Sequence, residues 1–242
     1  MTQLETPKNL TRNVLIGMFA GVLFASLFYY SQEFISQQIF LFAEKYVFNL
    51  GGQIFKNLLL LIVVPLVFFS LVSGISSLSN MVKLGSIATK TIGLYLLTTA
   101  FAVIIAIFFG WVFNISGYEG EVSAYIPPSG DSSLYGTVIK IFPNNIFGAF
   151  AENNMLGIVF ISVLFGIALN LTDELTNNLS KNFERLNIVF LKIVLIIMGF
   201  APIGVFCLMG SYVMDNGLDI FGELIQYVLI LIFVLFFHLI FT

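Results

Sequence analysis

The sequence has few charged residues and few of the side chains that carry metal or covalent chemistry. Charged residues make up 10% of its 242 positions, whereas a soluble domain typically carries about 25%. The single cysteine, Cys207, excludes an intrachain disulfide and a metal site built on thiolates, and in its apolar surroundings it reads as a small buried hydrophobe. The single histidine, His238, lies near the end of the last apolar run, where a packing or interfacial position is favoured. We therefore expect neither enzyme activity nor a cofactor.

The net charge is also too small and of the wrong sign for nucleic acid. It is −3 at pH 7, so no basic surface is predicted for a polyanion.

The sequence is instead rich in long apolar stretches, since hydrophobic residues make up 59% of the chain and the mean hydropathy is +1.02. No charged residue occurs between Lys56 and Lys83. About 20 apolar residues cross a bilayer core of about 30 Å, so this stretch predicts a transmembrane helix surrounded by lipid.

Pro65 lies in the middle of this stretch. A membrane helix tolerates a proline where neighbouring helices satisfy the backbone carbonyl that the proline leaves without a donor. The sequence therefore predicts several packed helices rather than a single anchor. Six apolar segments fit this prediction, at residues 14–30, 48–78, 92–113, 155–171, 188–209 and 224–241. The predicted fold is an all-α polytopic membrane protein with six transmembrane helices.

Several of these segments have further features that the sequence makes visible. The second and fifth are longer than one crossing and are expected to be tilted or broken. Residues 141–151 are too short and irregular to cross, so they predict a kinked start to the fourth span. Pro65 and Pro202 fall in the second span of each half, which is a sequence sign of an inverted repeat in secondary transporters. Gly17 and Gly21 form a GxxxG pair, a signature of closely packed helices.

The basic residues predict the orientation, because cytoplasmic loops of membrane proteins carry an excess of lysine and arginine. With the N-terminus inside, seven of the ten basic residues fall on inner segments, namely Lys8, Arg12, Lys83, Lys90, Lys181, Arg185 and Lys192. We therefore expect a multi-pass protein of the cell's inner (plasma) membrane with a cytoplasmic N-terminus. Residues 116–140 then form a solvated extracytoplasmic loop.

One polar cluster lies deep in a predicted span. Tyr95, Thr98 and Thr99 occur at i, i+3 and i+4, so a helix places them on one face. Hydroxyls and backbone carbonyls are hard oxygen ligands, suited to a dehydrated alkali cation. Hydroxyl residues also serve as hydrogen-bonding contacts between packed helices. The residues alone leave both interpretations open.

Several segments, in the order in which they occur here, resemble the dicarboxylate/amino acid:cation symporter family, which includes glutamate, aspartate and C4-dicarboxylate carriers. The resemblance covers nearly the whole chain. The matching segments are VVPLVFFSLVSGISSL (63–78), KLGSIATKTIGLYLLTTAFAV (83–103), IFPNNIFGAFAENNMLGIVFISVLFGIALN (141–170) and APIGVFCLMGSYVM (201–214).

The resemblance implies an elevator-type transporter that forms a homotrimer, with a scaffold and a moving transport domain in each subunit. It implies coupling to Na⁺ or H⁺, and it matches Tyr95, Thr98 and Thr99 to part of a Na⁺ site. The implied divisions are residues 1–78 (spans one and two, scaffold), 79–115 (span three, transport domain), 116–140 (extracytoplasmic loop), 141–222 (spans four and five, scaffold and trimer contacts) and 223–242 (span six, transport domain).

In this family the substrate site lies beyond span six, in two re-entrant hairpins and two further helices that carry an Asn-Met-Asp-Gly-Thr motif. No such motif occurs in the 242 residues, so we expect no substrate-binding residues here and no transport by this chain alone. The resemblance implies the N-terminal portion of a symporter for acidic amino acids or C4-dicarboxylates. The alternatives are a membrane scaffold or regulatory subunit that assembles with a full-length relative or a separate C-terminal half, and a small channel.

Overall fold

The computed structural model describes residues 9–78, 81–113, 133–176, 178–218 and 220–241, and the regular elements within these ranges are helices. The all-α prediction is thereby confirmed for the described part of the chain. In chain order the elements are α1 (Leu10–Tyr30), α2 (Gln37–Phe42), a π-helical segment (Ala43–Asn49), α3 (Leu50–Ser76), α4 (Met81–Val112), α5 (Leu134–Ile141), α6 (Ile146–Ala151), α7 (Met155–Thr172), α8 (Leu179–Gly199), α9 (Ala201–Asn216) and α10 (Ile220–Phe241).

The chain divides into two compact units. The first consists of Met1–Ser77 and Ser133–Leu218, and the second of Leu78–Ser132 and Asp219–Thr242. The first unit therefore contains α1–α3 and α5–α9, while the second contains α4 and α10.

Among the described residues, four helical stretches are long and apolar enough to cross a membrane. They are Leu10–Tyr30, Gln37–Ser76, Thr89–Val112 and Met155–Thr172. Helices α8 and α9 meet at a bend of 54° and provide a fifth crossing if the pair is one broken span. Residues Ile225–Ile240 of α10 form a shorter apolar helix. The protein is thus a multi-pass membrane protein, and the count of six spans stays a prediction.

The two prolines occupy different positions in their helices. Pro65 lies inside α3, which continues through it as one helix of 27 residues. Together with α2 and the π-helical segment, α3 forms a continuous stretch of 40 residues. Pro202 lies in the first turn of α9, just after the bend, where its missing N–H would have had no helical partner. The long second segment is therefore unbroken at its proline, whereas the fifth is bent, and the two prolines do not mark equivalent breaks.

The predicted extracytoplasmic loop, residues 116–140, is described only at its end. Its residues 116–132 lie outside the described residues. The end of the predicted loop is helical instead, because α5 begins at Leu134 and the Ser133 hydroxyl accepts a hydrogen bond from the Gly136 N–H at 3.0 Å. Serine at this position satisfies an N–H that has no partner within the helix.

The stretch before α7 is broken as expected, and its breaks have identifiable caps. The side-chain oxygen of Asn145 accepts a hydrogen bond from the Phe147 N–H at 3.0 Å and begins α6. The side-chain oxygen of Asn154 accepts one from the Gly157 N–H at 3.2 Å and begins α7. Each asparagine satisfies an N–H that has no partner within its helix. The sequence IFPNNIFGAFAENN therefore gives short helical pieces instead of one span.

Glycines allow the backbones of α1 and α9 to approach closely. A Cβ atom on Gly17 would collide with the carbonyl oxygen of Pro202, and one on Gly21 would collide with the carbonyl oxygen of Phe206. Because both pairs are four residues apart, one turn of α1 lies directly on one turn of α9. The close packing predicted from the GxxxG pair is confirmed.

Glycines of α9 also receive aromatic side chains from the long second helix. The ring of Phe55 occupies the space where Gly204 would carry a Cβ, and the ring of Phe48 does the same at Gly210. Phe55 belongs to the buried core of the first unit, which also contains Ile62, Ile197 and Ala201. Cys207 is only 5% exposed, which confirms its prediction as a buried hydrophobe.

In the second unit, α4 and α10 meet through phenylalanines. The ring of Phe109 lies 5.2 Å from that of Phe233 and 5.0 Å from that of Phe237, measured between centroids. Phe113 also contacts Phe233, at 6.0 Å. Edge-to-face aromatic pairs of this kind contribute about 0.5–1.5 kcal/mol beyond their burial.

Candidate functional site

The polar cluster predicted from the sequence lies on α4, in the second unit. Tyr95, Thr98 and Thr99 fall within little more than one helical turn, so they share one face. No charged residue occurs from Thr91 to Val112. The ligands that this part of α4 itself offers to a cation are therefore neutral oxygens.

The Thr98 hydroxyl makes its hydrogen bonds within α4. Its oxygen lies 3.0 Å from the Leu94 carbonyl oxygen and 3.1 Å from the Tyr95 carbonyl oxygen. A hydroxyl has one hydrogen and two lone pairs, so donation to the helix leaves the lone pairs available to a ligand. This geometry is compatible with a cation ligand, and it also occurs in threonines that only pack.

Tyr95 and Thr99 are exposed in this chain, with 68% of the Tyr95 side chain accessible. Hard cations in proteins typically take about six oxygen ligands, whereas these three side chains offer three. The structure therefore brings together the predicted residues on one helix face and provides only part of a coordination shell from them. Their assignment to a Na⁺ site stays a prediction.

Two polar contacts in the first unit are not predicted from the sequence. The Ser211 hydroxyl of α9 donates to the side-chain oxygen of Asn49 at 2.9 Å. The Asn170 side-chain amide of α7 donates to the Ser76 carbonyl oxygen at the end of α3, at 2.8 Å. Each contact joins helices far apart in the chain. The sequence feature that indicates such contacts is an asparagine inside an apolar run, because a side-chain amide there needs a hydrogen-bond partner.

Asn49 ends the π-helical segment Ala43–Asn49. Such segments are rare, usually lie within longer α-helices and often mark functional positions. Here the wider turn directs two consecutive residues towards α9, with Phe48 at Gly210 and Asn49 at Ser211. In the described structure the segment therefore acts as a packing element.

A small cavity lies between α5, α6 and the start of α7. It has a volume of about 220 Å³, and its lining includes Asn144, Asn145, Glu152 and Asn154. The Asn145 and Asn154 side-chain oxygens cap helices, and the Asn154 amide donates to the Lys140 carbonyl oxygen at 2.9 Å. Two of these polar side chains thus hold the broken stretch together.

The apolar helices and the neutral oxygen cluster fit a transporter, and comparison with known proteins decides the family. A family model described as the sodium:dicarboxylate symporter family matches residues 10–242. The chain belongs to this family.

Relatives with assigned activities agree with the family. The chain is 31% identical over 251 aligned positions to the proton/glutamate-aspartate symporter of Escherichia coli strain K12, covering 96% of this chain and 55% of the relative. It is 28% identical to the proton/sodium-glutamate symport protein of Geobacillus stearothermophilus, covering 85% of this chain and 49% of the relative. It is 32% identical to the C4-dicarboxylate transport protein of Bacillus subtilis strain 168, covering 69% of this chain and 42% of the relative.

The chain therefore spans about half the length of these relatives. The family match begins at Leu10, where α1 begins, and continues to Thr242. These relatives are transporters rather than enzymes, and their names include a proton, or a proton and sodium, as coupling ions.

Proposed function

We propose that this chain provides the N-terminal part of a cation-coupled symporter for acidic amino acids or C4-dicarboxylates in the cell's inner membrane. The observation that carries the proposal is the family match over residues 10–242, together with relatives of both substrate classes. In this assignment the N-terminus is cytoplasmic, and the bent pair α8–α9 and helix α10 are the fifth and sixth spans.

The division into units supports an elevator-type arrangement. The second unit contains α4 and α10, which correspond to spans three and six of the transport domain. The first unit contains the helices that correspond to the scaffold spans. In the first unit the glycine contacts of α1 and α9 bring backbones close together, which suits a part that stays fixed while another part moves.

In the proposed mechanism, Tyr95, Thr98 and Thr99 supply part of the coupling-ion site. The lone pairs of Thr98 support this assignment, because its hydrogen is donated to α4 itself. The remaining oxygen ligands and the residues that bind the substrate carboxylates come from the C-terminal half of the assembled transporter. Coupling follows because the ion and the substrate share a site that opens to one side of the membrane at a time.

The test is uptake of labelled glutamate, aspartate and succinate by proteoliposomes under imposed Na⁺ or proton gradients. Vesicles that contain this chain alone should accumulate none of them, because a substrate with two carboxylates needs buried cationic or amide partners to enter a membrane protein. Vesicles that also contain the unmatched C-terminal region of the Escherichia coli relative, added as a separate chain, should accumulate at least one. Saturable uptake by this chain alone would place the substrate site within it and contradict the proposal.

We also propose that the chain forms homotrimers through its first unit. Native mass spectrometry in a mild detergent should then show a three-subunit species. If the two halves fail to transport but this chain enters trimers of a full-length relative and changes their rate, the scaffold or regulatory alternative replaces the symporter proposal. A monomer as the single species would contradict the trimer.

A further inference from the structure

Helix α8 differs from the other long helices of the first unit in its charge. Helix α7 carries no charged residue, whereas α8 carries four, namely Lys181, Glu184, Arg185 and Lys192. All four side chains are exposed. A membrane helix with this many exposed charges must place them where they meet water or opposite charge.

The three cations of α8 form a single stripe. At 100° per residue, Lys181, Arg185 and Lys192 lie within about 40° of one another around the helix axis. The opposite face carries Phe183 and Phe190, whose rings lie 5.7 Å and 4.8 Å from the ring of Phe69 on α3. The stripe therefore faces away from the core of the first unit.

The stripe runs from the polar end of α8 into its apolar part. Arg185 and Lys192 are separated by seven residues, which is about 10 Å along the axis. Ile188, Val189 and Ile196 lie beside the stripe and are about half exposed. Helical side chains tilt towards the N-terminal end, and a lysine in an apolar zone extends its ammonium group towards the interface. We therefore expect the Lys192 ammonium group to extend towards Arg185 and Lys181.

We propose that this face of α8 binds the headgroup of an anionic phospholipid. The three cations provide the charge complement of a phosphate at the membrane surface, and the exposed apolar residues beside them provide a surface for its acyl chains. Arg185 donates to the side-chain oxygen of Asn182 at 3.3 Å, and a guanidinium has further N–H groups for a phosphate.

Two acidic groups lie near the stripe and bear on its affinity for an anionic headgroup. Asp173 is engaged with the backbone, since its carboxylate accepts a hydrogen bond from the Ser180 N–H at 3.2 Å. Glu184 is exposed and lies about 60° from Lys181 around the axis. Glu184 should therefore weaken binding of an anionic headgroup.

The test is native mass spectrometry of the full chain in detergent, titrated with phosphatidylglycerol or with phosphatidylcholine of the same acyl chains. The triple variant Lys181→Gln/Arg185→Gln/Lys192→Gln should bind phosphatidylglycerol at least about tenfold more weakly, because each basic group near the surface contributes to the attraction. Binding of phosphatidylcholine should not change.

A matched control distinguishes lipid binding at this face of α8 from a general effect of net charge. The variant Lys45→Gln/Lys90→Gln/Lys140→Gln removes three exposed cations from other helices and should change phosphatidylglycerol binding by less than about twofold. Glu184→Gln should strengthen binding by about twofold to threefold, a gain that misfolding cannot produce. An equal loss in both triple variants, no effect of Glu184→Gln, or equal affinity of the parent for both lipids would overturn the proposal.

Discussion

Individual glycines decide how closely the helices of the first unit approach one another. Gly17 and Gly21 meet backbone oxygens of α9, so an added methyl group would have to move a helix. Gly74, in contrast, is exposed on α3, and a Cβ added there would meet nothing within 4 Å. The same residue type is therefore irreplaceable at one site and replaceable at another.

The substitution Gly21→Ala should lower the free energy of unfolding by about 1–3 kcal/mol, the usual cost of overfilling a packed contact. The control Gly74→Ala should be neutral or stabilise the protein by up to about 1 kcal/mol, since alanine favours a helix. Thermal unfolding in detergent measures both. A Gly21→Ala variant as stable as the parent would show that α1 and α9 do not make this contact.

The contribution of the Thr98 and Thr99 hydroxyls to ion binding can be tested in vesicles that contain this chain and the separate C-terminal region of the relative, provided that their uptake depends on Na⁺. Replacing both with valine keeps their shape and removes oxygen ligands, so the apparent Na⁺ affinity should fall at least about tenfold, or about 1.4 kcal/mol. The control Thr89→Val/Thr91→Val removes two other hydroxyls of α4, including that of Thr89, which donates to the Gly85 carbonyl oxygen at 2.9 Å. Equal effects of the two variants would indicate that Thr98 and Thr99 serve helix packing and do not bind Na⁺.

At the scale of elements, the π-helical segment connects a local irregularity to helix packing. It places Asn49 opposite Ser211 and Phe48 opposite Gly210. Hydrogen bonds between membrane helices are individually modest, on the order of 0.6 kcal/mol and up to about 1.7 kcal/mol. The contact therefore fixes the register of two helices more than it stabilises them.

A double-mutant cycle measures this contact. Asn49→Ala and Ser211→Ala should show a coupling free energy of about 0.5–1.7 kcal/mol in unfolding experiments, because each removes the same hydrogen bond. Asn49→Ala combined with Ser26→Ala should be additive, since the Ser26 hydroxyl donates within α1 to the Val22 carbonyl oxygen. Additivity in both pairs would contradict a direct Asn49–Ser211 interaction.

Hydropathy predicted the positions of the long apolar helices better than it predicted where those helices are irregular or bent. The first and fourth apolar segments correspond closely to α1 and α7, because length and composition alone specify a span. The π-helical segment and the unbroken path through Pro65 could not be predicted, because both depend on which neighbour packs against the helix. The cation stripe of α8 was visible as a bias in charge, but its outward direction needed the position of Phe69.

For the whole molecule, the distribution of lysine and arginine predicts the orientation in the membrane. On a Cys207→Ser background, a cysteine at Ser123 should react with an impermeant thiol reagent added to intact cells. A cysteine at Glu174, in the exposed turn between α7 and α8, should react only after the membrane is opened. The opposite pattern would reverse the topology and would place the α8 stripe in the outer leaflet.

The family could be recognised from sequence across nearly the whole molecule, whereas the candidate ion site could be recognised only in part. Segments in family order identify the family, but three side chains on one helix do not complete a coordination shell. A site assembled from separate helices depends on tertiary contacts, and the residues on α4 are only one contribution to it.

The contact between α1 and α9 has a consequence for biosynthesis. At about 5–20 residues per second, the ribosome completes α9 roughly 10–40 s after α1. During this interval the glycine face of α1 lies in the bilayer without the helix that will cover it. The nascent chain must therefore hold its first span in place by its flanking charge and hydropathy, and insertion of α9 completes a folding step that began at the N-terminus.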